Sequence, residues 1–271
     1  MARLVRIAYL GAVVVTCGYL LLPTVVVTLA SFSPSAVLRF PPTGFSLRWY
    51  ENFFAREEFL DAFALSLVLA IAAATLATGL ALLAAVALRD TRPGVRQAMQ
   101  GAALLPLVLP TVVYGPALLI FAAQLWLTRS AAGTIAVIGL AHLVLALPFA
   151  IQVVFTNYDG LERSLEEAAR IAGARRSRVL MRIIVPLMAP GLIASFLFAF
   201  LISFDEPIVA LFLARHDVTT LPPRILTYLR FRSDPTVAAI STIMSLLAVA
   251  AIVVIDRLVG LDRIFGLTRS D

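Results

Sequence analysis

The stretch AFALSLVLAIAAATLATGLALLAAVAL runs from Ala62 to Leu88 and contains no charged side chain. An α-helix rises 1.5 Å per residue, so about 20 apolar residues cross the hydrocarbon core of a bilayer, which is roughly 30 Å thick. This stretch is long enough to cross a membrane as a single helix. Its alanine, threonine and glycine residues, dense between Ile71 and Ala85, are typical of membrane helices that pack closely.

Similar apolar runs fill most of the chain. Hydrophobic residues make up 61% of the 271 residues and charged residues only 14%, whereas soluble domains carry about 25% charged residues. We therefore predict an all-α membrane protein, with one transmembrane domain over residues 1–271 and six transmembrane helices. The predicted crossings are 7–30, 62–88, 98–122, 134–156, 188–213 and 236–258.

The segments before and after the first crossing have distinct compositions. The run Ile7–Ala30 follows Arg3 and Arg6 and is too long for the apolar core of a signal peptide, so we predict an uncleaved anchor helix. Residues 31–61 are rich in proline and acidic residues. This composition predicts a long external loop, with a short helix near Leu47–Phe54.

The arginines predict the orientation of the chain. With the N-terminus inside, the cytoplasmic segments hold 14 arginines and the external segments 8. The short loops are the most informative, because 89–97 carries three arginines and 123–133 carries one. Basic residues are enriched in cytoplasmic loops. Both termini are therefore predicted to be cytoplasmic.

The third predicted crossing, 98–122, is interrupted by helix-breaking residues. They are Gly101, Pro106, Pro110, Gly115 and Pro116. A broken helix is stable in a membrane only where it faces protein or a water-filled cavity. The third crossing is therefore predicted to line a pathway. Beside Gly115, the ring of Tyr114 is a candidate contact for a cation, with ordinary packing as the alternative.

The sequence excludes several kinds of site. All 22 basic residues are arginine, and a P-loop needs a lysine to hold phosphates. His142 and His216 are the two histidines, Cys17 is the single cysteine, and no cluster has metal-ligand spacing. We predict no catalytic site, no metal site and no cofactor in this chain. The arginines lie in short blocks between apolar runs, which favours membrane orientation over nucleic-acid binding.

The cytoplasmic loop 157–187 is predicted to hold two short helices. In the first, Ser164 is a candidate N-cap with Glu167 completing a capping box, and Gly173 suits the left-handed residue that ends a helix. Its apolar residues recur at helical spacing and predict one small apolar face. These residues are Leu161, Leu165, Ala168, Ala169 and Ala172. The second helix, Arg175–Ile184, is amphipathic and predicted to end before Pro186 and Pro190.

This loop resembles the EAA motif of ABC importer permeases. Glu167-Ala168-Ala169, Gly173 and Ile183-Ile184-Val185-Pro186 match its spacing, and the one departure is Val185 where the motif has leucine. Phe45–Tyr50 resembles the first external loop of the same family. Other stretches resemble the spermidine/putrescine-type branch. They are Ser203–Pro207, Leu221–Ile225 and Asp234–Ile240.

The resemblance implies a fold, a role and a set of partners. The fold would be that of a type I ABC importer permease in the bacterial inner membrane, a transport subunit with no enzyme activity of its own. Expected partners are a homologous second permease, two ATPase subunits that bind ATP and magnesium, an extracytoplasmic substrate-binding protein and the lipid bilayer. The first loop helix would be the coupling helix that docks on the ATPase. Its implied docking residues are Leu165, Glu166, Glu167, Ala168, Ala169, Arg170 and Gly173.

Two acids near the outer end of the fifth crossing are the sharpest candidates for the substrate pathway. Asp205 and Glu206 are costly inside a bilayer and are expected to face a cavity or a partner. Pro207 cannot donate to the carbonyl of Ser203, so we predict a kink with a free carbonyl beside the acids, and Ser203 is a further candidate for the pathway. The alternatives are an ion pair with Arg224 or a neutral, hydrogen-bonded acid.

The fourth crossing carries a further candidate for the pathway. His142 is predicted at a height similar to that of the two acids, although a lone histidine on an apolar helix is usually a hydrogen-bonded packing residue.

The favoured cargo is a small cationic solute, most of all a polyamine such as spermidine or putrescine. This follows from the two acids together with the resemblance. Within the importer class, the alternatives are an amino-acid derivative, an opine or iron(III). Outside it, the alternatives are an ion-coupled secondary transporter or channel and a purely structural membrane subunit.

Overall fold

The computed structural model describes residues 2–232 and 234–259, and every regular element in these ranges is helical. The α-helices are α1 (Ala2–Ser31), α2 (Arg48–Phe54), α3 (Glu57–Leu88), α4 (Pro93–Ala103), α5 (Leu105–Val108), α6 (Thr111–Gln124), α7 (Ala131–Asp159), α8 (Arg163–Ile171), α9 (Arg176–Val179), α10 (Val185–Phe204), α11 (Ile208–Leu213), α12 (Leu221–Phe231) and α13 (Thr236–Val259). A short 3₁₀ helix covers Leu127–Arg129, and a π turn covers Leu180–Ile184.

Five stretches within the described residues are long and apolar enough to cross a membrane. They are Tyr9–Ser31, Glu57–Leu88, Ala131–Asp159, Arg176–Phe204 and Thr236–Arg257. The first, second, fourth and sixth predicted crossings each fall on one of these helices. The predicted short helix near residues 47–54 is also confirmed, as α2.

The third predicted crossing is broken, as its prolines and glycines indicate. It divides into α4, α5 and α6, with interruptions at Leu104 and at Leu109–Pro110. Leu109 is extended, which is the conformation favoured before a proline. At 14 residues, α6 is shorter than the roughly 20 residues that span a bilayer alone.

A close approach of α6 to α11 depends on one glycine. A Cβ atom on Gly115 would lie 2.4 Å from the ring of Phe212. Any larger residue at this position would push the two helices apart, so the interrupted helix packs tightly against its neighbour at this point.

The fifth predicted crossing, 188–213, is wrong at its beginning. The helical stretch starts at Arg176 and continues without a stop past Pro186 and Pro190. Pro186 has no N–H for a regular helical bond. The π turn accommodates it, because Val185 donates instead to the carbonyl of Leu180, five residues earlier.

The end of the same crossing is also wrong. The helix stops at Phe204 and a separate helix, α11, starts at Ile208. Pro207 cannot continue the bonding pattern, and the side chain of Glu206 instead accepts the N–H groups at the start of α11. The predicted kink is therefore a complete interruption of the helix.

By their contacts the described residues divide into two compact units, one made of 2–61 with 225–232 and 234–249, the other of 62–224 with 250–259. In the first unit, Trp49 donates to the carbonyl of Ser33 at 2.7 Å, and Asn52 donates to Thr236 at 2.7 Å. These bonds connect α2 to the end of α1 and to the start of α13. The description of residues 1–271 as one transmembrane domain stays a prediction.

The core of the second unit consists of closely packed α3, α7 and α10. Small buried residues allow these helices to approach one another. Thr78 and Ser195 share a hydrogen bond of 3.1 Å between α3 and α10. A Cβ atom on Gly191 would lie 2.5 Å from Asn157, so α10 and the end of α7 nearly touch. This packing holds the C-terminal end of α7, from which the loop 157–187 continues.

Candidate functional site

The first loop helix is α8, which runs from Arg163 to Ile171. The predicted capping box is wrong, because Glu162 occupies the N-cap position and the N-cap has no side-chain hydrogen bond. Ser164 lies inside the first turn, where its hydroxyl donates to Glu162 Oε2 at 3.3 Å. A residue inside the helix cannot cap it, and Glu167 is thereby free of the role that the sequence suggested.

The end of α8 is a Schellman motif built on Gly173. The φ angle of Gly173 is 80°, in the left-handed region. Its N–H donates to the carbonyl of Arg170 at 2.9 Å, and the N–H of Ala174 donates to that of Ala169 at 3.0 Å. These are the two bonds that define the motif. The predicted role of Gly173 as the helix stop is confirmed.

A buried ion pair attaches α8 to the ends of α3 and α7. Arg89 follows α3 directly, and its Nη2 lies 3.2 Å from Oε1 of Glu166; the exposed fractions of the two side chains are 5% and 8%. The same guanidinium donates to the carbonyls of Tyr158 and Leu161, at 2.8 and 3.0 Å. It also lies 4.4 Å from the centroid of the Tyr158 ring. Arg89 therefore connects three helices through one side chain.

A second, weaker set of contacts surrounds this pair. Arg170 lies 3.7 Å from Glu166 Oε2 and 3.7 Å from Asp90 Oδ2. Both Arg170 and Asp90 are largely exposed, and exposed ion pairs contribute about 0–1 kcal/mol. The attachment of α8 consequently depends mainly on the buried Arg89–Glu166 pair.

The opposite side of α8 is exposed. Glu167 points away from the protein, and the side chains of Leu165 and Ile171 are 44% and 87% exposed. The predicted single apolar face is wrong. Of its five residues, Leu161 and Ala169 pack against the core, whereas the other three are exposed, namely Leu165, Ala168 and Ala172. The inward pairing of Glu166 sets this rotation of the helix.

Sequence reasoning missed both Arg89 and Ile171. Arg89 counted only as one of the arginines that set orientation, although its position directly after an apolar run was a usable signal. The exposed surface of α8 carries Leu165 and Ile171, with Glu167 one turn before Ile171. Exposed apolar side chains rimmed by polar ones are a feature of protein-interaction surfaces. We call this surface, made of Leu165, Glu167, Ala168, Ile171 and Ala172, the α8 docking surface.

The two acids of the predicted pathway differ sharply in environment. Glu206 is buried, and its Oε2 accepts the N–H groups of Val209 and Ala210 at 2.9 and 3.2 Å, while Oε1 accepts that of Ile208 at 3.1 Å. Asp205 ends α10 with an exposed side chain and joins no ion pair among the described residues. Glu206 thus holds the start of α11, and Asp205 is the acid open to a solute.

His142 on α7 contacts Ser203 on α10, and Ser203 precedes Asp205 by two residues in the chain. His142 Nδ1 and Ser203 Oγ are 2.8 Å apart, and both residues are 1% exposed. This arrangement matches the packing alternative for His142. Tyr114 lies elsewhere, half-buried on α6 against the apolar cluster around Ile138. Among the described residues, no group of three or more histidine, cysteine and acidic side chains is placed to hold a metal ion.

A family model matches the sequence of this chain from α3 to the end of α13. Residues 77–261 match the model of the family described as binding-protein-dependent transport system inner membrane component. The chain belongs to this family. It is therefore a multi-pass inner-membrane transport subunit, and the resemblance carried by the EAA motif is confirmed.

Similar proteins cover nearly the whole chain. One is the spermidine/putrescine transport system permease protein PotC of Haemophilus influenzae, 31% identical over 86% of this chain and 89% of its own. Another is the putrescine transport system permease protein PotI of Escherichia coli K12, 31% identical over 83% and 81%.

The fold has a counterpart among solved structures. A chain from a bacterial ABC transporter, described as involved in the import of the acidic polysaccharide alginate, matches with a TM-score of 0.71. The match covers 95% of this chain and 97% of the other, at 16% sequence identity. It supports the fold of an ABC importer permease.

Proposed function

We propose that this chain is the permease subunit of an ATP-driven importer of polyamines such as spermidine or putrescine. The proposal rests on the names of the two relatives and on the extent of the chain that they match. The proposal that a separate ATPase drives transport rests on the α8 docking surface. The Arg89–Glu166 ion pair holds this surface in place, and it faces away from the rest of the protein.

The proposed topology has six crossings with both termini in the cytoplasm. The five long apolar stretches supply five crossings, and α4, α5 and α6 together supply the third. An interrupted crossing is acceptable where it faces protein or water. The arginine distribution supports a cytoplasmic position for the loop that contains α8.

In the proposed mechanism, α8 transmits motion from a separate ATPase subunit. Leu165 and Ile171 would enter an apolar groove of the ATPase, and Glu167 would pair with a basic residue there. When two ATPase subunits bind ATP and approach each other, α8 moves with them and the pathway opens outward. Because Arg89 connects α8 to the ends of α3 and α7, that motion reaches the membrane helices. Hydrolysis then restores the inward-open state.

The cargo pathway would run between this chain and a homologous second permease, with an extracytoplasmic binding protein delivering the solute. Asp205 offers an exposed carboxylate at the interruption between α10 and α11. Carboxylates bind ammonium groups through charge-assisted hydrogen bonds. Glu206 has a positioning role here, because its oxygens hold the backbone of α11.

Membership of the binding-protein-dependent family and the polyamine permeases among the relatives favour an importer over an ion-coupled secondary transporter, a channel or a purely structural subunit. The remaining alternative is an importer of another small solute. We propose to reconstitute the permeases, the ATPase and the binding protein in liposomes and to measure ATP-dependent uptake of spermidine, putrescine, an opine and a ferric chelate. Uptake of the polyamines alone is expected. Uptake of a different solute would contradict the polyamine assignment and leave the importer assignment intact.

A further inference from the structure

A cavity of about 370 Å³ opens between the interruption of the third crossing and the C-terminal part of α7. Its lining includes Gln100, Leu104, Gln152, Phe155, Thr156 and Asp159. We call this cavity the inner groove. Its volume falls in the range of roughly 300–1,000 Å³ that is typical of small-molecule sites.

The wall of the inner groove that α7 provides carries three polar side chains beside Ile151 and Phe155. Gln152, Thr156 and Asp159 follow one another at spacings of four and three residues, which places them on one face of the helix. All three are exposed. The side-chain amide of Gln152 has no hydrogen-bond partner among the described residues.

With α7 centred in the bilayer, Gln152 would lie about 4 Å inside the edge of the hydrocarbon core. It precedes the end of α7 by seven residues, about 10 Å along the helix axis. The 29 residues of α7 extend about 43 Å, so roughly 6 Å would project beyond each side of a 30 Å core if α7 is centred. An unsatisfied amide at this depth is costly against lipid tails. The polar side chains of this wall therefore face water, a solute or another protein.

The opposite wall of the inner groove independently supports the conclusion that the groove contains water. The helix is interrupted at Leu104, and Pro106 lacks the N–H that would continue it. Interrupted backbone at membrane depth occurs where it is buried in protein or lines a water-filled cavity. Here the interruption and the exposed amide of Gln152 border the same open cavity, which favours water and a passing solute over lipid.

We propose that the inner groove is a binding station for a polyprotonated amine on the cytoplasmic half of the transport pathway. This inference rests on the proposed function. The side-chain oxygens of Gln152, Gln100 and Thr156 accept hydrogen bonds from the ammonium groups. Asp159 is already paired with Arg96, so the neutral oxygens supply most of the contacts. Neutral acceptors suit an exit station, because a solute must bind weakly enough to leave.

The test uses the complete transporter in liposomes, with Cys17→Ser removing the native thiol and Gln152→Cys introducing a reporter. A cationic methanethiosulfonate reagent on the cytoplasmic side is expected to modify the new thiol. Spermidine at about ten times its dissociation constant should slow modification roughly tenfold by mass action. Thr156→Cys, one turn further along the same face, should behave in the same way.

The control is Ser177→Cys, an exposed position in the loop 157–187 and outside the groove, where the reagent should react and spermidine should have no effect on modification. A thiol at Gln152 that reacts equally fast with and without spermidine would overturn the proposal. So would an unreactive thiol that instead forms a disulfide with an engineered cysteine of the second permease, since α7 would then be a subunit contact. Spermidine uptake by the Cys17→Ser parent, measured in the same liposomes, separates the two proposals. Normal uptake without protection contradicts the inner groove alone, and absence of uptake contradicts both.

Discussion

At the scale of single residues, Arg89 and Glu166 determine how α8 is held. The pair is buried, and Arg89 also binds two carbonyls at the end of α7. Removing one member of a buried pair leaves an uncompensated charge, which typically costs about 3–5 kcal/mol. Replacing both members removes that penalty.

We therefore expect Arg89→Met to lower the melting temperature of the purified transporter sharply, and Glu166→Met to do the same. The double variant should recover much of the lost stability, because neither charge remains unpaired. Thermal unfolding of the four proteins forms a double-mutant cycle. Strictly additive losses would show that the two residues do not interact.

The two neighbouring acids should respond differently to mutation. Asp205→Asn is expected to leave stability unchanged and to reduce polyamine uptake roughly tenfold, the scale of one hydrogen bond to a charged group. Glu206→Leu should instead destabilise the protein by about 1–2 kcal/mol, because α11 loses its cap. Uptake assays and thermal unfolding on the same preparations check both. Normal uptake by Asp205→Asn would remove Asp205 from the pathway.

At the scale of elements, substitutions at Gly173 test whether the turn that ends α8 is needed for coupling. Gly173 has a φ of 80°, and a Cβ atom there would meet nothing within 4 Å. The cost of Gly173→Ala is therefore conformational, about 1–2 kcal/mol, and Gly173→Asn should cost less because asparagine tolerates this conformation. Uptake should fall more for alanine than for asparagine. Equal uptake by both variants and the parent would contradict a role for this turn.

Local patterns in the sequence predicted much of the element structure, and long-range contacts decided the rest. Apolar length predicted four of the five long helices, and the breakers at 101–116 predicted the interrupted crossing. The rotation of α8 was not predictable from its own residues, because Arg89 fixes it from far along the chain. Pro186 failed as a stop signal because a π turn supplied an alternative bond.

At the scale of the whole molecule, the orientation in the membrane can be tested by thiol labelling. In a Cys17→Ser background, Ser177→Cys and Ala36→Cys place exposed thiols in the loop of α8 and in the 31–61 segment. A membrane-impermeant maleimide added to intact spheroplasts should label only the second. Labelling of Ser177→Cys from outside would reverse the proposed topology.

The central claim is that ATP-driven uptake depends on contact through the α8 docking surface. It is tested most directly by measuring spermidine uptake and ATP hydrolysis in the same liposomes for Glu167→Arg, with a charge reversal at the exposed N-cap residue, Glu162→Arg, as the control. A like charge facing a basic partner costs several kcal/mol, so uptake by Glu167→Arg should fall more than about tenfold while the protein remains folded. The control should transport normally. Parental uptake by Glu167→Arg, at an unchanged ratio of ATP hydrolysed to spermidine imported, would contradict the account.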